Sequence, residues 1–443
     1  SVVELGIKQK PVERAGESMD TDRYIVDGMH KLEGEVWVHG AKNAALPILA
    51  ASLLCDECEI ENCPDLSDIR AAQNILRHLG CKTWWESDSG GRRVLSVKAE
   101  GPFVWDIPDS LMREMRSSIV FLGAIISRCK QAKITYPGGC ELGPRPIDLH
   151  LSSLKKLGVQ IQEDGGSLAC SVPDGLYGAQ ITLPFPSVGA TENIMLAACM
   201  ARGETVIRNA AREPEIIDLA GFLNACGARI RILPDGTVAI EGVKHLNSCR
   251  YRVIPDRIVA VTYLCCCAIA KGEVLLRGVC PEHLSAVLPV LEEMGCSLQV
   301  EKESILLRCD KPLRAVSSIS TMPYPGFPTD ALAPVMAAAC TAQGTTIFIE
   351  NIFQDRFKHA WELCRMGADI KAEGRVAVVR GVPKLHRARV RCTDLRGGAA
   401  LVAAALGAQG KTVIEEIRHV LRGYEDLDGT LNTLGARITR IEN

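Results

Sequence analysis

The sequence predicts an α/β repeat protein of six units, arranged as two domains of three units each. A glycine recurs about every 70 residues, after an amphipathic helical pattern and before a β-type segment, at Gly80, Gly158, Gly227, Gly295, Gly367 and Gly435. Each unit also holds an Ala-rich stretch that is apolar on every face, which is typical of a buried helix. We therefore expect buried helices at the centre of each domain, with sheets and amphipathic helices around them.

The recurring glycines mark the ends of helices, because glycine adopts the left-handed conformation at low cost. Eleven residues before the glycine, five of the units carry a hydrophobic residue on the apolar face of the helix: Ile69, Ile147, Ile216, Leu284 and Tyr424. The fifth unit has Arg356 at this position. Two interpretations stay open for this arginine: it points to solvent, or it has been recruited for function.

Composition excludes several classes of protein. The chain has 443 residues, of which 47% are hydrophobic, and a net charge of −2, as expected of a globular protein with no overall attraction for nucleic acid or an anionic membrane. Its apolar stretches are shorter than the ~20 residues that span a bilayer. The sequence also shows no signal peptide, so we expect a cytoplasmic protein. Residues 1–18 are predicted to be a tail outside the fold.

The nineteen cysteines are predicted to serve mainly in packing. Many lie in apolar helical runs, such as Cys265–Cys267, where a thiol behaves as a small hydrophobic group. The one C-x-x-C pair, Cys55 and Cys58, has no second pair and no nearby histidine couple, so the sequence argues against a zinc site. We predict no metal, and no disulfide framework in a long chain with an odd number of cysteines.

The loops that precede the buried helices carry an unusual set of side chains. They contain Lys42-Asn43, Arg116-Ser117-Ser118, Ser187-Val188-Gly189, Asp256-Arg257, Thr329-Asp330 and Asp394-Leu395-Arg396. Ser187 and Thr329 could simply be N-caps. The cations need another explanation, because the helix dipole disfavours positive charge at an N-terminus. If these loops converge, they predict a cleft for phosphates and carboxylates.

The segment from Tyr136 to His150 is rich in glycine and proline and is predicted to be an exposed loop. It contains Cys140, with Arg145 nearby. Exposure and a neighbouring cation both favour the thiolate form of Cys140, so we favour the hypothesis that this cysteine is reactive. The alternative is an incidental thiol in a loop.

Eight segments together resemble the UDP-N-acetylglucosamine 1-carboxyvinyltransferase family of enolpyruvyl transferases. They are Gly40–Ala45, Pro137–His150, Ser187–Thr191, Arg212–Glu215, Pro255–Ile258, Phe327–Asp330, Thr393–Arg396 and Arg422–Tyr424. No single segment is specific for this family, but the occurrence of all eight in this order is specific for it. The cysteine-containing loop distinguishes this family from the related enolpyruvylshikimate-phosphate synthases.

The resemblance implies an inside-out α/β barrel of two domains, like that of EPSP synthase, with six βαβαββ-type repeats. One domain would comprise residues 42–254 and carry the Cys140 loop. The other would be discontinuous, formed by residues 19–41 and 255–443. The implied reaction moves the enolpyruvyl group of phosphoenolpyruvate to the 3-hydroxyl of UDP-N-acetylglucosamine, and it needs no cofactor. The partners are therefore small-molecule substrates, and we expect a monomer or weak homo-oligomer.

The same resemblance implies roles for individual residues. Lys42, Asn43, Arg145 and Arg422 would hold the phosphate of phosphoenolpyruvate and nearby atoms, and Arg356 and Arg396 would face its carboxylate. The contacts to the UDP-sugar would come from Arg116, Arg145, Pro146, Ile147, Asp148, Leu149, Phe185, Ser187, Val188, Asp330 and Ile352. Asp330 would lie near the attacking hydroxyl, and Cys140 would donate a proton to the substrate. The residues implied in catalysis are Cys140, Asp330, Lys42 and Arg422.

Three positions depart from the family pattern, where polar residues are expected: Val259, Leu332 and Leu421. None of them replaces a residue with a direct role, so catalysis remains the favoured hypothesis. The loss of these polar groups leaves a competing hypothesis open: a paralogue that binds a UDP-sugar and regulates without catalysis.

Overall fold

The computed structural model describes residues 22–115, 117–135 and 147–442, and these form six four-stranded sheets, one two-stranded sheet and thirteen α-helices. The helices are Lys42–Ser52 (α1), Ser67–His78 (α2), Asp109–Glu114 (α3), Phe121–Cys129 (α4), Asp148–Lys156 (α5), Val188–Ala198 (α6), Pro214–Ala225 (α7), Arg257–Ala270 (α8), Leu288–Glu293 (α9), Thr329–Ala339 (α10), Lys358–Arg365 (α11), Leu395–Leu406 (α12) and Leu427–Thr433 (α13). Short 3₁₀ helices occupy Ser118–Val120, Pro281–Leu284 and Ile417–Arg422.

The strands follow in chain order. The first fourteen are Arg23–Asp27 (β1), Glu33–Trp37 (β2), Glu57–Glu61 (β3), Cys81–Ser87 (β4), Arg93–Ala99 (β5), Asp106–Ile107 (β6), Gln131–Thr135 (β7), Gln160–Asp164 (β8), Ser167–Ser171 (β9), Gln180–Thr182 (β10), Glu204–Arg208 (β11), Arg229–Ile232 (β12), Val238–Glu241 (β13) and Cys249–Arg252 (β14). The others are Gly272–Arg277 (β15), Ser297–Val300 (β16), Ser304–Cys309 (β17), Ser318–Ser320 (β18), Thr345–Ile349 (β19), Asp369–Glu373 (β20), Val376–Arg380 (β21), Leu385–His386 (β22), Arg389–Arg391 (β23), Ala408–Gln409 (β24), Lys411–Glu415 (β25) and Arg437–Ile441 (β26).

The six four-stranded sheets share one topology, which confirms the predicted repeat. Their strand orders are β14-β3-β5-β4, β6-β7-β9-β8, β10-β11-β13-β12, β2-β15-β17-β16, β18-β19-β21-β20 and β23-β25-β1-β26. In each sheet the first two strands pair in parallel and the remaining pairs are antiparallel. The six recurring glycines all have φ between 93° and 104°, as a left-handed helix end requires.

Two separate hydrophobic cores divide the described chain. One is formed by residues between 41 and 253, and the other by residues 24–38 together with residues 259–438. The N-terminal strands cause this division, because β1 pairs with β25 and β26, and β2 pairs with β15. The fold therefore has two domains of three units each, and the division supports our proposed limits of 42–254 for one domain and 19–41 with 255–443 for the other.

The Ala-rich stretches form the buried helices, as predicted. Helices α1, α4 and α6 lie in one core, and α8, α10 and α12 pack against one another in the other core. In α8 every residue from Ile258 to Ala270 is buried, including Cys265–Cys267.

Among the described residues, no helix combines the length and the apolar character that crossing a membrane requires. The predicted tail of residues 1–18 lies outside the described residues.

Candidate functional site

The N-termini of two buried helices, α1 and α8, meet at the boundary between the two domains. The backbone N–H of Lys42, at the start of α1, lies 3.3 Å from an oxygen of Asp256, which caps α8. The Arg257 side chain reaches back to the other domain, where its Nε lies 3.0 Å from a Glu215 oxygen in the first turn of α7. Helix dipoles and charged side chains from both domains therefore meet in one region, as the loop sequences suggested.

Asp68 joins Lys42 to Arg422 across the domain boundary. The Lys42 Nζ lies 3.0 Å from Asp68 Oδ2, and the Arg422 Nε lies 2.9 Å from Asp68 Oδ1. Burial opposes ionisation of Asp68, but the charges of Lys42 and Arg422 hold the pKa of its carboxyl below the usual range. Asn43, the next residue in α1, is exposed beside this pair.

Asp330 is held by two buried arginines in the second domain. Its Oδ1 lies 2.8 Å from Arg356 Nη2, and its Oδ2 lies 3.3 Å from Arg396 Nη2. Burial alone would raise the pKa of Asp330, but the guanidinium groups of Arg396 and Arg356 lower it well below the ordinary value. Arg356 is only 2% exposed, so the interpretation that it points to solvent is wrong. It occupies the buried position of its repeat and directs its charge to Asp330.

The cations retain hydrogen-bonding capacity for a ligand. Within the part of the chain that the structure describes, the ion pairs of Lys42, Arg422, Arg356 and Arg396 use two carboxylates, those of Asp68 and Asp330. The Arg356 Nε is buried, and no described group accepts a hydrogen bond from it. Burial, followed by the nearby charges of Arg396 and Arg422, lowers the pKa of Lys42 despite its pairing with Asp68. An anion with two charged ends would relieve this crowding of positive charge.

Arg396 is positioned by its own helix and by Tyr424. Asp394 caps α12 by accepting hydrogen bonds from the backbone N–H groups of Arg396 and Gly397. The Arg396 Nη1 lies 3.2 Å from the Tyr424 hydroxyl, which in turn lies 2.7 Å from Thr262 Oγ1. Arg396 is only 2% exposed, and these contacts orient its guanidinium toward Asp330.

Six of the residues predicted to contact the UDP-sugar lie at the starts of α5 and α6. Ile147 caps α5 and Asp148 and Leu149 begin it, whereas Phe185 and Ser187 precede α6 and Val188 begins it. His150 connects the two helices, because its Nδ1 lies 2.8 Å from Asn193 Nδ2 and its ring lies against Gly189. Burial lowers the pKa of His150 to about 4, which makes it neutral near pH 7.

The exposure of these residues differs widely. The Phe185 side chain is 41% exposed, whereas Ile147 is only 4% exposed and packs in the core.

Ser187 accepts a hydrogen bond from the Ala190 N–H at 3.3 Å, so its role as an N-cap is confirmed. Thr329 is not an N-cap, because that position belongs to Pro328.

Glu350 organises the loop that contains Ile352. Its Oε1 accepts hydrogen bonds from the backbone N–H of Ile352 at 2.6 Å and from Thr321 Oγ1 at 2.9 Å. Its Oε2 accepts a hydrogen bond from Thr329 Oγ1, which sits beside Asp330 at the start of α10. The Ile352 loop is thereby connected to the helix that carries Asp330.

Of the remaining predicted site residues, Arg116, Cys140, Arg145 and Pro146 lie outside the described residues.

Sequence reasoning missed several side chains that organise this region. Asp68 lies in the first turn of α2, where an acidic residue is ordinary, so nothing in the sequence distinguishes it. In the sequence, Glu215 belongs to a segment that resembles the family, and Tyr424 occupies a hydrophobic position of the repeat. The buried carboxylate of Glu350 gave no signal at all. Each residue has at least one partner on another element of the fold.

The fold also changes the interpretation of the C-x-x-C pair. The sequence offered no further ligands near Cys55 and Cys58, but the folded chain brings Cys226 to within 4.8 Å of both sulfurs. Cys249 is close as well, with its Sγ 3.1 Å from that of Cys226. Sequence spacing did not reveal these neighbours, because the additional thiols come from a helix end and a strand far from Cys55 and Cys58 in the chain.

Comparisons with known proteins give the family. Residues 26–431 match the family described as EPSP synthase (3-phosphoshikimate 1-carboxyvinyltransferase). The chain belongs to this enolpyruvyl transferase family. UDP-N-acetylglucosamine 1-carboxyvinyltransferase 2 of Caldanaerobacter subterraneus subsp. tengcongensis is 52% identical to it, over 95% of this chain and 99% of that protein. UDP-N-acetylglucosamine 1-carboxyvinyltransferase 1 of Staphylococcus aureus (strain bovine RF122 / ET3-1) is 42% identical, over 95% and 100%.

Solved structures show the same enolpyruvyl transferase fold. The enolpyruvyl transferase NikO from Streptomyces tendae is 24% identical with a TM-score of 0.85, covering 96% of this chain and 100% of that one. EPSP synthase from Acinetobacter baumannii is 19% identical with a TM-score of 0.73, covering 95% and 100%. The predicted fold class, an inside-out α/β barrel of two domains, is confirmed.

Within this enolpyruvyl transferase, the three departures from the family pattern do not disturb the charged site. Val259 and Leu332 are fully buried in the apolar core, and Leu421 is half-buried. The Arg422 side chain beside Leu421 still reaches Asp68. The charged contacts described above therefore form without polar residues at these positions.

Proposed function

We propose that this chain transfers the enolpyruvyl group of phosphoenolpyruvate to the 3-hydroxyl of UDP-N-acetylglucosamine and releases phosphate. One observation carries the proposal: Lys42, Arg422, Arg356 and Arg396 converge on Asp68 and Asp330 in a chain 42–52% identical to enzymes of that name. The reaction would be the first committed step of peptidoglycan precursor synthesis. We also propose that the enzyme is cytoplasmic and a monomer or weak homo-oligomer, and that it binds neither nucleic acid nor membrane.

The charged groups suit the two ends of phosphoenolpyruvate. Lys42, Asn43, Arg145 and Arg422 bind the phosphate end, and Arg356 and Arg396 bind the carboxylate. Because guanidinium groups present paired N–H donors, they bind a carboxylate through charge-assisted hydrogen bonds. The same two arginines hold Asp330 at 2.8 and 3.3 Å, so the substrate carboxylate competes with Asp330 for their donors.

This competition for the arginines allows Asp330 to act as a base. While both arginines are paired with it, the pKa of Asp330 stays far below the ordinary value and its carboxylate is a poor base. When the substrate carboxylate draws the guanidinium groups away, the pKa of Asp330 rises toward that of an ordinary carboxyl group. Asp330 then accepts the proton of the attacking 3-hydroxyl.

The chemistry proceeds by addition followed by elimination. The 3-hydroxyl oxygen bonds to C2 of phosphoenolpyruvate while C3 gains a proton from the Cys140 thiol. The intermediate then loses a proton from C3, the bond between C2 and the phosphate oxygen breaks, and phosphate leaves. Lys42 and Arg422 stabilise the charge that develops on this phosphate. The UDP-sugar is positioned by Arg116, Asp330, Ile352 and the residues that precede α5 and α6.

Phosphate release tests the proposal against a regulatory role. With both substrates present, the purified chain is expected to release phosphate continuously, and omission of UDP-N-acetylglucosamine is expected to stop it. The Lys42→Ala variant serves as the inactive comparison. Binding of the UDP-sugar without any phosphate release would instead support a regulatory paralogue and contradict the proposed reaction.

Arg396→Ala is expected to raise the KM for phosphoenolpyruvate about 10- to 100-fold, because a charge-assisted hydrogen bond is worth ~1.5–3 kcal/mol. The KM for UDP-N-acetylglucosamine is expected to change little. Steady-state kinetics with each substrate varied in turn measures the two effects. Arg418→Ala is the matched control, since this arginine is exposed and pairs only with Glu416 among the described groups. An equal rise in both KM values would show that Arg396 does not face the carboxylate.

A further inference from the structure

Four cysteines from three parts of the chain meet beneath the surface of the first domain. Cys55 follows α1, Cys58 lies on β3, Cys226 caps the end of α7, and Cys249 begins β14. Strand pairing places Cys249 directly opposite Cys58, because β14 runs parallel to β3 in that register. We call these residues the four-cysteine cluster. It lies at the opposite end of α1 from Lys42, about 16 Å away for an eleven-residue helix.

Three of the four sulfurs lie close enough together to share a metal ion, and the fourth lies beside one of them. The sulfurs of Cys55, Cys58 and Cys226 all lie within 4.8 Å of one another, and the Cys249 sulfur lies 3.1 Å from that of Cys226. Four sulfurs bound to Zn²⁺ at about 2.3 Å would be about 3.8 Å apart. A disulfide would use only two of these sulfurs and leave the other two without a role. We propose that one Zn²⁺ ion is bound by the four-cysteine cluster, outside the substrate site.

The surroundings of the four-cysteine cluster favour a closed structural site. Cys55, Cys58 and Cys226 are fully buried, and only Cys249 is half-buried. The Arg128 guanidinium donates hydrogen bonds to the backbone oxygens of Leu53 and Cys55, at 2.9 and 3.2 Å. It fixes the loop that carries Cys55 and places a positive charge near a tetrathiolate centre whose net charge is −2.

Metal binding at the four-cysteine cluster would close the ring of three units. β3 belongs to the first unit, whereas α7 and β14 come from the end of this domain's sequence. The ion would therefore tie the beginning of the domain to its end. As the Zn–S bonds form, the four thiols lose their protons to solvent, and no group is oxidised or reduced.

Elemental analysis of the full chain tests the site. Protein purified without chelator from zinc-supplemented cells is expected to contain about one Zn²⁺ per chain. The Cys226→Ala variant is expected to lose most of it, with less than about a tenth remaining, whereas Cys170→Ala is expected to keep it. Cys170 is the matched control, because it is buried in the same domain on β9 and lies outside the four-cysteine cluster. Equal zinc contents in the two variants would overturn the proposal.

Two measurements on the wild-type chain test the zinc site even if the Cys226→Ala variant does not fold. After the zinc is removed, cobalt(II) is expected to give the thiolate charge-transfer absorption of a tetrahedral cobalt site. Alkylation of the denatured, unreduced chain is expected to label all four cysteines as free thiols. Wild-type protein that lacks metal, or that carries a Cys226–Cys249 disulfide, would overturn the site. Neither readout uses enzymatic activity, so failure here is distinguishable from failure of the proposed reaction.

Discussion

Asp330→Asn is expected to lower kcat by ~10²–10⁴-fold, which is the range that general acid–base catalysis contributes. The amide has the shape of the carboxylate, and its oxygen can still accept a hydrogen bond from Arg356 or Arg396. It cannot take the proton of the sugar hydroxyl. Since the amide also competes less for the arginines, the KM for phosphoenolpyruvate is expected to stay the same or to fall.

Steady-state kinetics separates these effects, and the control is Asp369→Asn. Asp369 is another aspartate of the second domain, but its partner Arg380 lies 3.8 Å away in an exposed pair. Such a surface pair contributes little to stability or positioning. An Asp330→Asn enzyme with an unchanged kcat, or with a raised KM as its only defect, would mean that Asp330 positions the substrates and does not act as the base.

Fosfomycin, an epoxide phosphonate that resembles phosphoenolpyruvate, is expected to alkylate Cys140 alone among the nineteen cysteines. The other eighteen cysteines are all buried or half-buried. Burial raises the pKa of thiols such as Cys199 and Cys340, which suppresses the reactive thiolate. UDP-N-acetylglucosamine is expected to accelerate the labelling, because it completes the site around the reagent.

Peptide mass mapping measures where the reagent is bound. Cys140→Ser is expected to abolish labelling while UDP-sugar binding stays near that of the wild type. Cys280→Ser provides the control, because this thiol is half-buried in the second domain. Adducts on Cys280, Cys129 or Cys364, or inactivation without any mass on Cys140, would remove Cys140 from the mechanism.

Local sequence signals predicted the fold because each one acts within a single unit. The glycine at a helix end, the apolar face before it and the all-apolar helix need only a few neighbouring residues to be recognised. Their recurrence then gave the number of units. The same alignment of units singled out Arg356, the one cation among five hydrophobic sister positions. The structure buries it against Asp330, so the exception in the repeat marked part of the site.

The contacts that organise the site were beyond such reasoning, because they join residues far apart in sequence. Asp68 and Arg422 are separated by 354 residues, and Arg257 and Glu215 lie on different helices of different domains. The four-cysteine cluster shows the same difficulty. A search for paired ligands at short spacing rejects Cys55 and Cys58, whereas the pairing of β14 with β3 brings Cys249 beside Cys58.

The fate of the C3 proton tests the proposed addition and elimination most directly. The reaction is run in D₂O with both substrates, and the product is analysed by proton NMR and mass spectrometry. If C3 is protonated from an exchangeable group and later deprotonated, deuterium will appear in the vinyl group of the enolpyruvyl product. Product with a fully protiated vinyl group would contradict this mechanism, and no product at all would contradict the proposed function.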